Sequence, residues 1–131
     1  MPPKFLVDRN LGTRIVPEAL RGAGWSVVTL SDIYGEAGGQ RTADDTWLEF
    51  AGRNSLVVLM LDKKIQYRQL ERNALVRSGV VAFCLTSGNL DGPTQAQRFL
   101  DSETEILRIA SLPGPSLHMI SKASMRRVSL H

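Results

Sequence analysis

Short apolar runs alternate along the chain with stretches of helical periodicity. Lys4–Val7, Trp25–Leu30, Ser55–Leu61 and Gly79–Leu85 are brief and β-branched or wholly apolar, the pattern of strands buried on both faces. Between them, Leu11–Arg21 spaces Leu11, Ile15 and Ala19 as a helix does, with Gly22 and Gly24 as stop signals. Trp47, Leu48, Phe50 and Ala51 supply the apolar face of a second helix, for which Thr42 is a suitable N-cap. Ile65–Arg77 predicts a basic helix with Ile65, Leu70, Ala74 and Leu75 inward. Gly92–Leu112 predicts a long helix entered through Pro93, with Phe99, Ile106, Leu107 and Ala110 as its apolar positions and Pro113-Gly114-Pro115 as its end. Ser31–Arg41 carries Gly35, Gly38 and Gly39 and reads as a loop. Leu117–Ile120 and Arg126–Leu130 flank a polar turn, which predicts a terminal hairpin.

Strand and helix alternate four times, so the expected architecture is α/β, a three-layer α/β/α sandwich on a largely parallel sheet with a C-terminal β-hairpin. Residues 1–131 suffice for one domain with a sizeable core. In the common strand order 2-1-3-4, strands one and three are neighbours where the order reverses, and ligands bind outside the carboxyl ends of such strands.

Two acids stand at those ends. Asp8 closes Phe5-Leu6-Val7, and Asp62 closes Leu56-Val57-Val58-Leu59-Met60-Leu61. The pair Asp44-Asp45 opens the helix between them. Carboxylates converge only when protonated or neutralised by a cation, and hard oxygen donors suit Mg²⁺ or Mn²⁺. Such an ion generates hydroxide from bound water and stabilises the departing oxygen of a phosphodiester. One acid of the pair would serve the helix dipole instead.

The net charge is +3, and its placement matters more than its size. Lys63, Lys64, Arg68, Arg72 and Arg77 follow Asp62 closely, and Arg126-Arg127 lie near the C-terminus. Cations beside an acid cluster suit a polyanionic substrate held by its phosphates, although a solvated helix face has the same composition. Cys84 stands alone in an apolar run and reads as a small buried hydrophobe. His118 and His131 are too few and too far apart for a histidine metal site and read as surface or hairpin residues. No stretch approaches the roughly 20 apolar residues of a membrane span. Residues 1–10 lack a secretory apolar region, so a cytoplasmic protein is expected.

The ordered segments Phe5-Leu6-Val7-Asp8-Arg9-Asn10-Leu11, Asp44-Asp45-Thr46-Trp47-Leu48 with Ala51, and Leu61-Asp62-Lys63-Lys64-Ile65 resemble the PIN-like domain family. More narrowly, they resemble the short PIN-like toxins of bacterial VapBC-type toxin–antitoxin pairs. The likeness continues through Val81-Ala82-Phe83, the long helix and the Pro-Gly-Pro turn. It implies a metal-dependent endoribonuclease using Mg²⁺ or Mn²⁺, an RNA substrate and a cognate antitoxin protein, and it leaves room for a homodimer. The family's first-strand acid falls on Asp8, its helix acid on Asp44 (Asp45 if the register shifts by one), and its later strand-end acid on Asp62. RNA contacts then fall to Lys63, Lys64, Arg68 and Arg72. One position departs: many PIN domains carry an acid two residues after the last of these, where this chain has Lys64.

Two other readings stay open. A PIN-like fold without catalysis would bind RNA or a partner only. A phospho-accepting receiver would place its phosphorylated acid at Asp62, with Thr86 closing strand four and Lys122 after a later strand. Receivers, however, carry an acidic pair after strand one, where this chain has Arg9-Asn10.

Overall fold

In the central strands successive side chains enter opposite cores, as the two-residue period of a pleated strand requires. The computed structural model describes residues 2–62, 64–87, 89–122 and 124–130. Its strands are β1 (Lys4–Val7), β2 (Ser26–Thr29), β3 (Val57–Leu61), β4 (Val81–Leu85), β5 (Ser116–Ile120) and β6 (Met125–Val128). They form one sheet in the order β2-β1-β3-β4-β5-β6, with β1 to β5 parallel and β6 antiparallel to β5. The expected switch between strands one and three is present, as is the hairpin.

Helices α1 (Ile15–Gly22), α5 (Gly92–Asp101) and α6 (Glu103–Ala110) cover one face, where Val16, Leu20, Phe99 and Ile106 meet Phe5, Val7, Leu59 and Phe83. Helices α2 (Leu30–Arg41), α3 (Asp44–Arg53) and α4 (Gln69–Ser78) cover the other, where Trp47, Leu48, Ala51 and Leu75 meet Leu6, Val58, Met60 and Cys84. This is the three-layer sandwich. Helices α3 and α4 approach so closely that a Cβ on Gly52 would lie 2.0 Å from the Ser78 carbonyl oxygen. Among the described residues, no helix is long and apolar enough to cross a membrane.

Several local expectations fail for identifiable reasons. Ser31–Arg41 is helical, not a loop: the Thr29 hydroxyl accepts the Asp32 N–H at 3.1 Å, and the Asp32 carboxylate accepts the Thr29 N–H at 2.9 Å. That reciprocal cap starts α2, and Gly35 (φ 79°) kinks it into two pieces. Thr42 does not cap α3; its hydroxyl donates to the Gly38 carbonyl at 2.6 Å and ends α2, leaving Ala43 as the N-cap. Ile65 belongs to a 3₁₀ turn before α4, and Leu70 is 80% exposed instead of inward. The predicted long helix breaks at Ser102 into α5 and α6, and Leu107 faces solvent. In α1, Val16 and Leu20 are buried, whereas Ile15 is exposed.

Candidate active site

Residues two apart on a strand share a face, so Asp8 follows Leu6, and Asp62 follows Val58 and Met60, toward the layer that holds α3 and α4. Asp8 and Asp62 line one pocket of about 120 Å³ together with Asp44, from the first turn of α3, and Glu71, from the first turn of α4. Trp47, Leu48, Met60 and Ile65 form its apolar walls, and Arg9 and Asn10 complete it. Larger cavities of about 410 and 300 Å³ lie beside the hairpin, but none of these four acids lines them. Chemistry, not size, singles out the small pocket.

Each acid is anchored by its own element. The Asp8 N–H continues the ladder to the Leu59 carbonyl at 2.9 Å, while its carbonyl accepts the Leu11 N–H at 3.0 Å and starts a 3₁₀ turn. The buried Trp47 indole N–H donates to Asp44 Oδ1 at 3.0 Å. The Asp62 main chain is clamped to β4, its N–H and its carbonyl both 3.2 Å from Cys84 Sγ. Asp62 Oδ1 accepts the Lys64 N–H at 3.0 Å, and Oδ2 holds the Arg68 guanidinium. Asn10 Nδ2 donates to the Leu61 carbonyl at 3.2 Å, tying the two strand ends together.

Asp8 is the electrostatically costly member. It is 4% exposed, and burial pushes its carboxyl from 3.8 up to about 6. The backbone N–H groups of Asn10 and Leu61 and the Arg9 guanidinium oppose that rise, while the Asp44 charge adds to it. Cys84 is buried as expected, and burial pushes its thiol up to about 12, which leaves no thiolate nucleophile at neutral pH. His118 lies in the hairpin, as one of its two expected places, and is buried in β5, stacked on Phe83, with Nε2 3.0 Å from Ser116 Oγ. His131 lies outside the described residues.

The remaining predicted residues separate. Asp45 lines grooves beside α4 with Ala74 and Arg77, not the Asp8 pocket. Lys64 is exposed. Arg68 reaches Asp62, and Arg72 donates to Gln69 Oε1. Lys63 lies outside the described residues. Glu71 was missed because Ile65–Arg77 reads as a basic helix; its signal is an acid in that helix's first turn. Among the described residues, no three His, Cys, Asp or Glu side chains converge tightly enough to close around one ion.

The model of the "PIN like domain" family matches residues 3–87, which contain all four pocket acids. The chain belongs to the PIN-like domain family. It is also 30% identical, over 124 residues, to the protein named "Putative ribonuclease VapC45" of Mycobacterium tuberculosis (strain ATCC 25618 / H37Rv), a match that covers 95% of this chain and 90% of that protein. No solved structure matches.

Proposed function

We propose that this chain is a metal-dependent endoribonuclease, the toxin of a toxin–antitoxin pair, built as one PIN-like domain over residues 1–131. The observation that carries this reading is the buried carboxyl of Asp8, sharing a small pocket with Asp44 and Asp62 at the strand switch. The donor set fits a divalent ion: Mg²⁺ keeps several waters and needs only one or two carboxylates directly, so a tight trio is not required. Asp8, Asp44 and Asp62 would hold the ion, one or two of them directly and the rest through its waters, and when bound it would supply an activated water and charge for the departing oxygen.

The chain's own groups do the rest. Trp47 orients Asp44 through its indole N–H, and Cys84 fixes the Asp62 main chain. Of the acids only Asp8 is buried, so its charge acts at the lowest local dielectric. Arg68, held on Asp62, would exchange that carboxylate for an RNA phosphate, with Lys63, Lys64 and Arg72 as the other cations of the same stretch of sequence. The relative's printed name supports RNA as substrate, and the family resemblance supports a cognate antitoxin and a cytoplasmic setting.

The test is cleavage of single-stranded or looped RNA by the purified chain with Mg²⁺ or Mn²⁺, stopped by EDTA. Asp8→Asn, Asp44→Asn and Asp62→Asn should each lose at least roughly two orders of magnitude in rate. Metal-independent rates, or full activity in Asp8→Asn and Asp62→Asn, would defeat the mechanism. RNA binding without any cleavage would make the chain a non-catalytic PIN-like module.

A further inference from the structure

Helix α4 carries Arg72 and Arg77 but opens with an acid. Glu71 is half-buried in the first turn of α4 and lines the pocket with Asp8, Asp44 and Asp62. Among the described residues it has no hydrogen-bond or ion-pair partner. Asp44 and Asp62, by contrast, are held by Trp47 and by Arg68 with Lys64. The close approach of Gly52 to Ser78 joins α3 and α4 at their C-terminal ends, while their first turns carry Asp44 and Glu71 to one pocket. Lys64 does not line the pocket, so the loop after β3 adds no acid beyond Asp62.

We propose that Glu71 is a fourth carboxylate of the divalent-cation site, supplied by α4. This rests on the pocket being a cation site at all. A half-buried carboxylate without a partner is an open oxygen donor, and a cation held among Asp8, Asp44 and Asp62 in the same pocket would supply its counter-charge. The competing role is an acid that merely complements the α4 dipole. The two differ in what neutralising Glu71 does without metal. Loss of a dipole partner destabilises the fold, whereas loss of one charge from a repelling cluster does not.

The experiment uses the full chain without RNA, and Mn²⁺ as the probe, followed by calorimetric titration and by melting in EDTA. Glu71→Gln should weaken Mn²⁺ binding by about tenfold or more, the range seen when groups around a metal are removed. Its melting temperature in EDTA should equal or exceed that of wild type. Glu49→Gln, an exposed acid of α3 outside the pocket, controls for net charge and should bind Mn²⁺ as wild type does. Glu71→Asp keeps the charge but shortens the reach and should fall between. If wild type binds Mn²⁺ and Glu71→Gln binds it equally well, or if Glu49→Gln weakens binding as much, the role of Glu71 is overturned and the pocket reading survives. A lower melting point for Glu71→Gln in EDTA with intact Mn²⁺ affinity assigns it to the helix dipole. If wild type takes up no Mn²⁺, the pocket reading itself fails.

Discussion

Asp8→Asn should make the metal-free protein more stable at neutral pH while removing its activity. The carboxyl is 4% exposed, so solvent screening discounts its energy little. Its rise from 3.8 to about 6 is roughly two pKa units, worth about 3 kcal/mol at 1.36 kcal/mol per unit. The sign follows from linkage: the folded state holds the proton more tightly than the unfolded chain. That contribution is complete below the unfolded value and is lost as pH climbs through about 6. Wild type without metal should therefore lose about 3 kcal/mol across that window, and Asp8→Asn should not. Asn keeps one oxygen to accept a backbone N–H, so a net gain of about 2 kcal/mol near pH 7.5 is expected, or about 8 °C in melting temperature. Thermal melts in EDTA at several pH values between about 4 and 8 measure it. Equal pH dependence in both proteins, or a lower melting point for Asp8→Asn at neutral pH, would refute the reasoning. Adding Mg²⁺ should stabilise wild type, since it binds the folded state, and should do little for the variant.

Arg68→Ala should leave the melting temperature nearly unchanged, because an ion pair with a half-exposed Arg contributes at most about 1 kcal/mol. The same variant should bind Mg²⁺ more tightly, its Asp62 being freed. It should also flatten the log–log salt dependence of RNA binding by about 0.7, measurable by fluorescence anisotropy. Gly52→Ala should lower the unfolding free energy by about 3 kcal/mol in urea melts, because its Cβ would collide with the Ser78 carbonyl and force α3 from α4.

Much of the site was legible because it follows from periodicity and strand order. Asp8 and Asp62 fall in step with Leu6, Val58 and Met60, and alternation of strands and helices favours the order that makes β1 and β3 neighbours. Period and topology together bring the two acids to one edge. What the sequence hid was set by contacts, not pattern. The glycines of Ser31–Arg41 signal a loop, yet the Thr29–Asp32 cap overrides that propensity, and Gly35 merely bends the result. The choice between Asp44 and Asp45 required knowing that Trp47 ties the first of them into the pocket. Reading α4 by its net charge concealed Glu71, since composition averages over a helix whose faces do different work.

The structure also relocates the electrostatic cost. Crowded acids repel, and both oxygens of Asp62 already have partners, the Lys64 N–H on Oδ1 and the Arg68 guanidinium on Oδ2. The cost falls on Asp8, buried at the strand end and facing the charge of Asp44. The topology leaves room there for the proposed cation. From β1 the chain crosses to β2 on one side, and from β3 it crosses to β4 on the other, so the loops diverge and leave a crevice between the strand ends. Helices α3 and α4 begin at that crevice, with Asp44 and Glu71 in their first turns, so both positive helix ends face it. Those ends offset part of the acids' mutual repulsion before any ion binds. In the proposed mechanism, an ion that neutralised the carboxylates would leave the same helix ends and Arg68 to attract a phosphate. In the proposed nuclease one arrangement of dipoles would thus serve first the acids and then the substrate, with Asp44 and Glu71 on helix starts and Asp8 and Asp62 on strand ends.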